Sequence, residues 1–104
     1  MVLSAHMAVA LSMALHELST NAVKYGALST EGGRLSIGWT VVDGRLRLKW
    51  TESNGPSVKP ATRSGFGSTM LRRVLPQQLN GCVEIHLEES GLICIIEGTI
   101  EAPE

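Results

Sequence analysis

The sequence predicts a two-layer α/β sandwich, with helices on one face of a mostly antiparallel sheet. Three observations carry this. The first 25 residues hold apolar side chains at helical spacing, Leu11, Leu15, Leu18, Ala22 and Tyr25 falling on one face at about 100° per residue. Two later stretches alternate apolar and polar residues with a turn signal between their halves, the mark of a half-buried hairpin. A shorter apolar run separates the hairpins. The order helix, two strands, loop, helix, two strands places strands adjacent in sequence side by side, and both helices can then cover the same face.

The first helix is expected over about Ser4 to Tyr25, with Ser4 as N-cap and Gly26 as the left-handed residue that ends it. After the polar connection Ser29-Thr30-Glu31-Gly32-Gly33, Leu35, Ile37 and Trp39 alternate, then Leu46, Leu48 and Trp50, with Asp43-Gly44 between them. That dipeptide suits a two-residue hairpin turn. Trp39, Leu46 and Leu48 are expected in the sheet core, and Trp50 is expected to pack at a strand end. From Thr51 to Ser64 the alternation is lost, and Asn54, Gly55, Pro56 and Pro60 mark an irregular segment that ends in Gly65-Phe66-Gly67. A short helix is expected over Ser68 to Gln78, then a second hairpin, Cys82 to Leu87 and Leu92 to Ile96, joined across Glu88 to Gly91.

At 104 residues the chain is one domain with a single core. Hydrophobic residues make up 43% and charged residues 18%, a composition that folds. The formal net charge of −1, with no cluster of Lys and Arg, leaves no electrostatic footprint for nucleic acid or an anionic membrane. The apolar start, Met7 to Leu15, is too short to span a bilayer, and it lacks the basic flank of a signal peptide. A cytoplasmic location is expected. Cys82 and Cys94 show no metal-ligand spacing and are expected to be buried free thiols.

Chemistry gathers on the first helix. Glu17, Asn21 and Lys24 stand at i, i+4 and i+7, so a carboxylate, an amide and an amine line one side. Asparagine is a poor helix former, so its place in mid-helix invites a polar ligand. An amide oxygen suits Mg²⁺, which rarely receives an all-protein cage and usually bridges to phosphate. Lys24 could neutralise phosphate charge. The glycine turn at Gly65 and Gly67 would leave backbone N–H groups at the start of the second helix, another feature suited to phosphate. Each signal alone is weak.

Together they form a pattern. His16-Glu17-Leu18-x-Thr20-Asn21-Ala22-x-Lys24-Tyr25-Gly26-Ala27-Leu28-Ser29, then Trp50-x-Glu52, Gly55-Pro56-x-Val58 and Gly65-Phe66-Gly67, resemble the catalytic, ATP-binding domain of the HWE class of bacterial sensor histidine kinases. The resemblance runs over nearly the whole chain, in order. It implies the Bergerat ATP-binding fold, with a mixed, mostly antiparallel sheet and ATP held between the helices and a lid formed by Gly55 to Ser64. His16, Trp50 and Glu52 match the residues that name the class. By resemblance, Asn21 binds Mg²⁺ and Glu17 accepts the proton from, or orients, the histidine that attacks the γ-phosphate. Lys24 and Tyr25 match positions near the phosphates and nucleoside. Glu52 stands where a carboxylate bonds the adenine amino group, and Gly55, Gly65, Phe66 and Gly67 match the glycine boxes. The class usually has two glycines before the proline; here the first is Asn54.

The resemblance also implies what lies around such a domain. A helical dimerisation domain carrying the phosphoacceptor histidine, and a sensor domain, are expected to precede it, so the chain is expected to be a fragment of a homodimeric kinase. A first strand is expected there too, and only Met1 to Leu3 could remain of it. The phosphoryl group would pass on to a response regulator, with no nucleic acid and no membrane insertion involved. Alone, the fragment is expected to bind nucleotide and turn it over poorly. The alternative is a Bergerat-type protein-binding module, anti-sigma-like or degenerate. His16 lies beside the Glu17 line, and a supporting role there and a direct phosphate contact are both open. Arg72 and Arg73 are expected on a solvated helix face; Arg63 in the lid is open to either reading.

Overall fold

The computed structural model describes residues 5–55, 70–89 and 91–99. Helix α1 (Ala5–Lys24) leads through a 3₁₀ turn (Ala27–Ser29) into strands β1 (Arg34–Val42) and β2 (Arg45–Ser53). A π-helical turn (Met70–Val74) continues into the short helix α2 (Leu75–Leu79), followed by β3 (Cys82–Glu88) and β4 (Gly91–Thr99). The four strands form one antiparallel sheet in the order β1-β2-β4-β3. This is the expected helix and hairpin order. The expected cap at Ser4, the glycine turn 65–67, Arg63 and the start of the second helix lie outside the described residues.

The hairpin turns follow their sequence signals. Asp43 and Gly44 both take positive φ (50° and 75°), the twist that a two-residue turn needs to match its strands. It sets a register in which Trp39 faces Leu48 and Ile37 faces Trp50. Pro76 sits in the first turn of α2, where its missing N–H costs nothing, and Asn80 closes the helix in the left-handed region (φ 49°). Gly81 donates to the Pro76 carbonyl there at 3.0 Å.

The core lies between the layers. Met7, Ala10, Leu11, Ala14, Leu18 and Ala22 of α1 meet Leu46, Leu48 and Trp50 of β2, Leu92, Cys94 and Ile96 of β4, and Leu71, Leu75 and Leu79 from the second helical segment. Alternation along β2 and β4 sends these residues inward and leaves their neighbours on the other face, mostly exposed in β2 and half-buried in β4.

Four expectations need correction. Tyr25 is not core: it lies past the last residue of α1 and is 51% exposed, and the buried stripe runs through Met7, Ala10 and Ala14 instead. Gly26 is not left-handed, with φ −113° and ψ −149°, because the chain passes through it in extended form into the 3₁₀ turn. Trp39 is not buried but 63% exposed, since β1 is a sheet edge that the helices do not cover. Cys82 is exposed, while Cys94 is buried as expected. The register explains the difference, because Cys82 shares the solvent face of β3 with Glu84 and His86.

Candidate functional site

The α1 face expected to meet a ligand borders the core without entering it. Glu17 and Asn21 are half-buried, and His16 and Lys24 are exposed. A polar residue at that border keeps its hydrogen-bonding atoms near solvent while its stem is held by packing. Among the described residues no group of three or more His, Cys, Asp or Glu side chains could hold a metal. The donors present, an amide at Asn21 and a carboxylate one turn before it, have the oxygen chemistry that suits Mg²⁺ shared with phosphate.

The second wall is the end of β2. Glu52 is 1% exposed, the one charged side chain in the core among the described residues. A buried carboxylate needs partners to offset its lost hydration. It has them: Oε1 accepts the Ala27 backbone N–H at 3.0 Å, and Oε2 accepts the Trp50 indole N–H at 2.9 Å. Both carboxyl oxygens of Glu52 are therefore engaged by the protein itself.

Ala27 is the point where the walls meet. Its N–H opens the 3₁₀ turn, and the Gly26 N-cap position supplies no side-chain bond to that turn. Glu52 supplies one from another element. Two glycines crowd the same residue: a Cβ on Gly55 would lie 2.7 Å from the Ala27 Cα, and one on Gly33 would lie 1.5 Å from the Ala27 oxygen. Gly55 is thus required by close approach to Ala27. Asn54 takes the left-handed conformation (φ 57°) where the class usually has glycine, which asparagine tolerates better than most residues.

The structure therefore brings Glu52, Gly55 and the turn after Lys24 and Tyr25 together. Gly65, Phe66 and Gly67 lie outside the described residues. Sequence reasoning missed Ala27 and Gly33, although small residues at Gly26-Ala27 and Gly32-Gly33 were a signal of close packing. Trp50 does more than the expected packing, since its indole N–H donates to the Glu52 carboxylate.

No family model matches the chain. Among curated proteins, the blue-light-activated histidine kinases of Brucella ovis, Brucella abortus and Brucella anthropi are each 40% identical to it over 97 residues, 89% of this chain. The chain spans 20% of the length of these relatives. Among solved structures, the kinase domain of the blue-light activated histidine kinase of Erythrobacter litoralis EL346 superposes with a TM-score of 0.74 at 20% identity, covering 91% of this chain and 48% of that one. The catalytic domain of histidine kinase ThkA does so at 0.67 and 19%, covering 88% of this chain and 66% of that one. Over 89% of its length the chain is thus similar in sequence to blue-light-activated histidine kinases, and it shares the fold of histidine-kinase catalytic domains.

Proposed function

We propose that this domain binds Mg-ATP and presents the γ-phosphate to a histidine on a separate dimerisation domain, in a kinase that signals to a response regulator. The observation that carries the reading is the Glu17, Asn21 and Lys24 line on α1, on a helix whose outgoing turn is bonded to the end of β2. Both walls of a nucleotide cleft are thereby held at a set separation. Lys24 and Tyr25 border the phosphates and nucleoside, and Glu52 and Gly55 the base; Gly65, Phe66 and Gly67, outside the described residues, are assigned to the phosphates by the sequence resemblance alone.

Phosphoryl transfer asks little covalent chemistry of a protein and much positioning. Asn21 would hold Mg²⁺, which when bound neutralises charge on the phosphates. Glu17 takes the proton from the attacking imidazole or orients it, and His16, exposed, stands one residue before it, beside that line. The attacked histidine comes from outside this chain, so the isolated domain binds nucleotide and hydrolyses it slowly.

Calorimetric titration with ATP and ADP, with and without Mg²⁺, tests the reading beside an Asn21→Ala variant shown to be folded. Binding that depends on Mg²⁺ and weakens at least ~10-fold in the variant is expected, the loss of one charge-assisted contact. A folded wild type that binds neither nucleotide overturns it and leaves the protein-binding module as the better description.

A further inference from the structure

The Trp50-x-Glu52 signature is one hydrogen-bonded chain. Residues two apart on a strand share a face, so the Trp50 indole and the Glu52 carboxylate both point toward the helical layer. Both side chains are fully buried. The indole N–H donates to Oε2 at 2.9 Å, and Oε1 accepts from Ala27 at 3.0 Å. One donor on one oxygen would leave the plane of a glutamate carboxylate free to turn about its last torsion. A second donor on the other oxygen holds that plane.

We propose that Trp50 is a positioning residue of the nucleotide site, an inference that rests on the ATP-binding reading above. Through its indole N–H it fixes the Glu52 carboxylate. Glu52 in turn sets the Gly26-Ala27 turn, and with it the end of α1 that carries Asn21 and Lys24. Packing cannot explain the choice of residue: phenylalanine or leucine would fill much of the same volume, yet either would leave Oε2 without this donor in a buried place. The tight contact of Gly55 and Gly33 with Ala27 makes the turn sensitive to small shifts, since neither backbone leaves room for it to move toward them.

The test is a double-mutant cycle of Trp50→Phe and Glu52→Gln on the intact chain, read by amide exchange at Ala27 and by Mg-ATP affinity. In the wild type the Trp50 indole proton exchanges slowly and that of Trp39, 63% exposed, exchanges fast. A fast-exchanging Trp50 indole overturns the proposal before any variant is made. Trp50→Phe is expected to speed Ala27 exchange and weaken Mg-ATP binding, each by about 10-fold, the loss of one hydrogen bond to a charged group. If Trp50 acts through Glu52, the double variant binds no more weakly than Glu52→Gln alone. Additive losses overturn the proposal, as does Trp50→Phe with unchanged Ala27 exchange. A Trp50→Phe chain that fails to fold leaves Glu52→Gln to decide: with a single acceptor oxygen it must release either the Ala27 N–H or the Trp50 indole N–H, so one of the two exchanges faster, and unchanged exchange at both overturns the proposal. A wild type that binds no nucleotide removes the functional reading, and the Ala27 exchange rates then judge the clamp by themselves.

Discussion

At the scale of single residues, environment separates groups that the sequence presents as equals. Cys94 lies between β2 and β3 in the core, opposite Trp50 and Ile85, and burial pushes its thiol up to about 12 from an ordinary 9.0. The raised value means the folded state keeps a proton that the unfolded chain gives up. Stability from this group is thus fully present below pH 9 and declines as pH rises from 9 toward 12. Cys82 lies exposed on the solvent face. A thiol reagent at pH 8 is expected to modify Cys82 alone in the folded chain and Cys94 only after denaturant is added. Fast modification of both without denaturant would contradict the buried placement. Glu52 is the buried polar residue among those described, and the Ala27 N–H and the Trp50 indole N–H each donate to one of its two oxygens.

At the scale of elements, the two central strands and the two edge strands have different lives. β2 and β4 bury every second side chain under the helices, whereas β1 leaves Ile37, Trp39 and Val41 on the same face largely uncovered. β1 pairs on one side with β2, and its other edge pairs with no described strand. An edge with exposed apolar side chains and no charge from Leu35 to Val42 invites self-association. Trp39→Lys is expected to lower light scattering at high concentration while changing unfolding free energy by no more than about 0.5 kcal/mol, as for most exposed sites. A loss of several kcal/mol would show that Trp39 is packed. The second helical segment shows a different balance: five residues of π geometry precede five of α-helix, and Leu71, Leu75 and Leu79 keep a four-residue spacing through both. Burial of that row holds the segment, because so short a helix has little stability of its own.

At the scale of the whole molecule, one core joins both layers, so its loss is felt everywhere. Leu18, fully buried at the middle of the α1 stripe, touches that core where helix and sheet meet. Leu18→Ala is expected to cost about 3 kcal/mol, the transfer and cavity terms together, with Trp50 fluorescence and far-ultraviolet dichroism unfolding in one shared transition. Separate transitions would show that the layers fold independently.

Much of this was legible in the sequence for a physical reason. Helical and strand periodicities are local properties, as is the Asp43-Gly44 turn, so element order and sheet sense followed from residue order alone. What alternation could not tell was which strand of a hairpin lies under the helices; Leu46 and Trp39 look alike until the sheet order puts one inside and the other at an edge. Nor could local rules see that Gly26 stays extended, that Tyr25 leaves the core, or that an indole, a carboxylate and a backbone N–H from distant segments bond in series. Those outcomes depend on contacts between residues far apart in the chain, such as Ala27 with Glu52, and only the packing of one layer on the other brings them within reach.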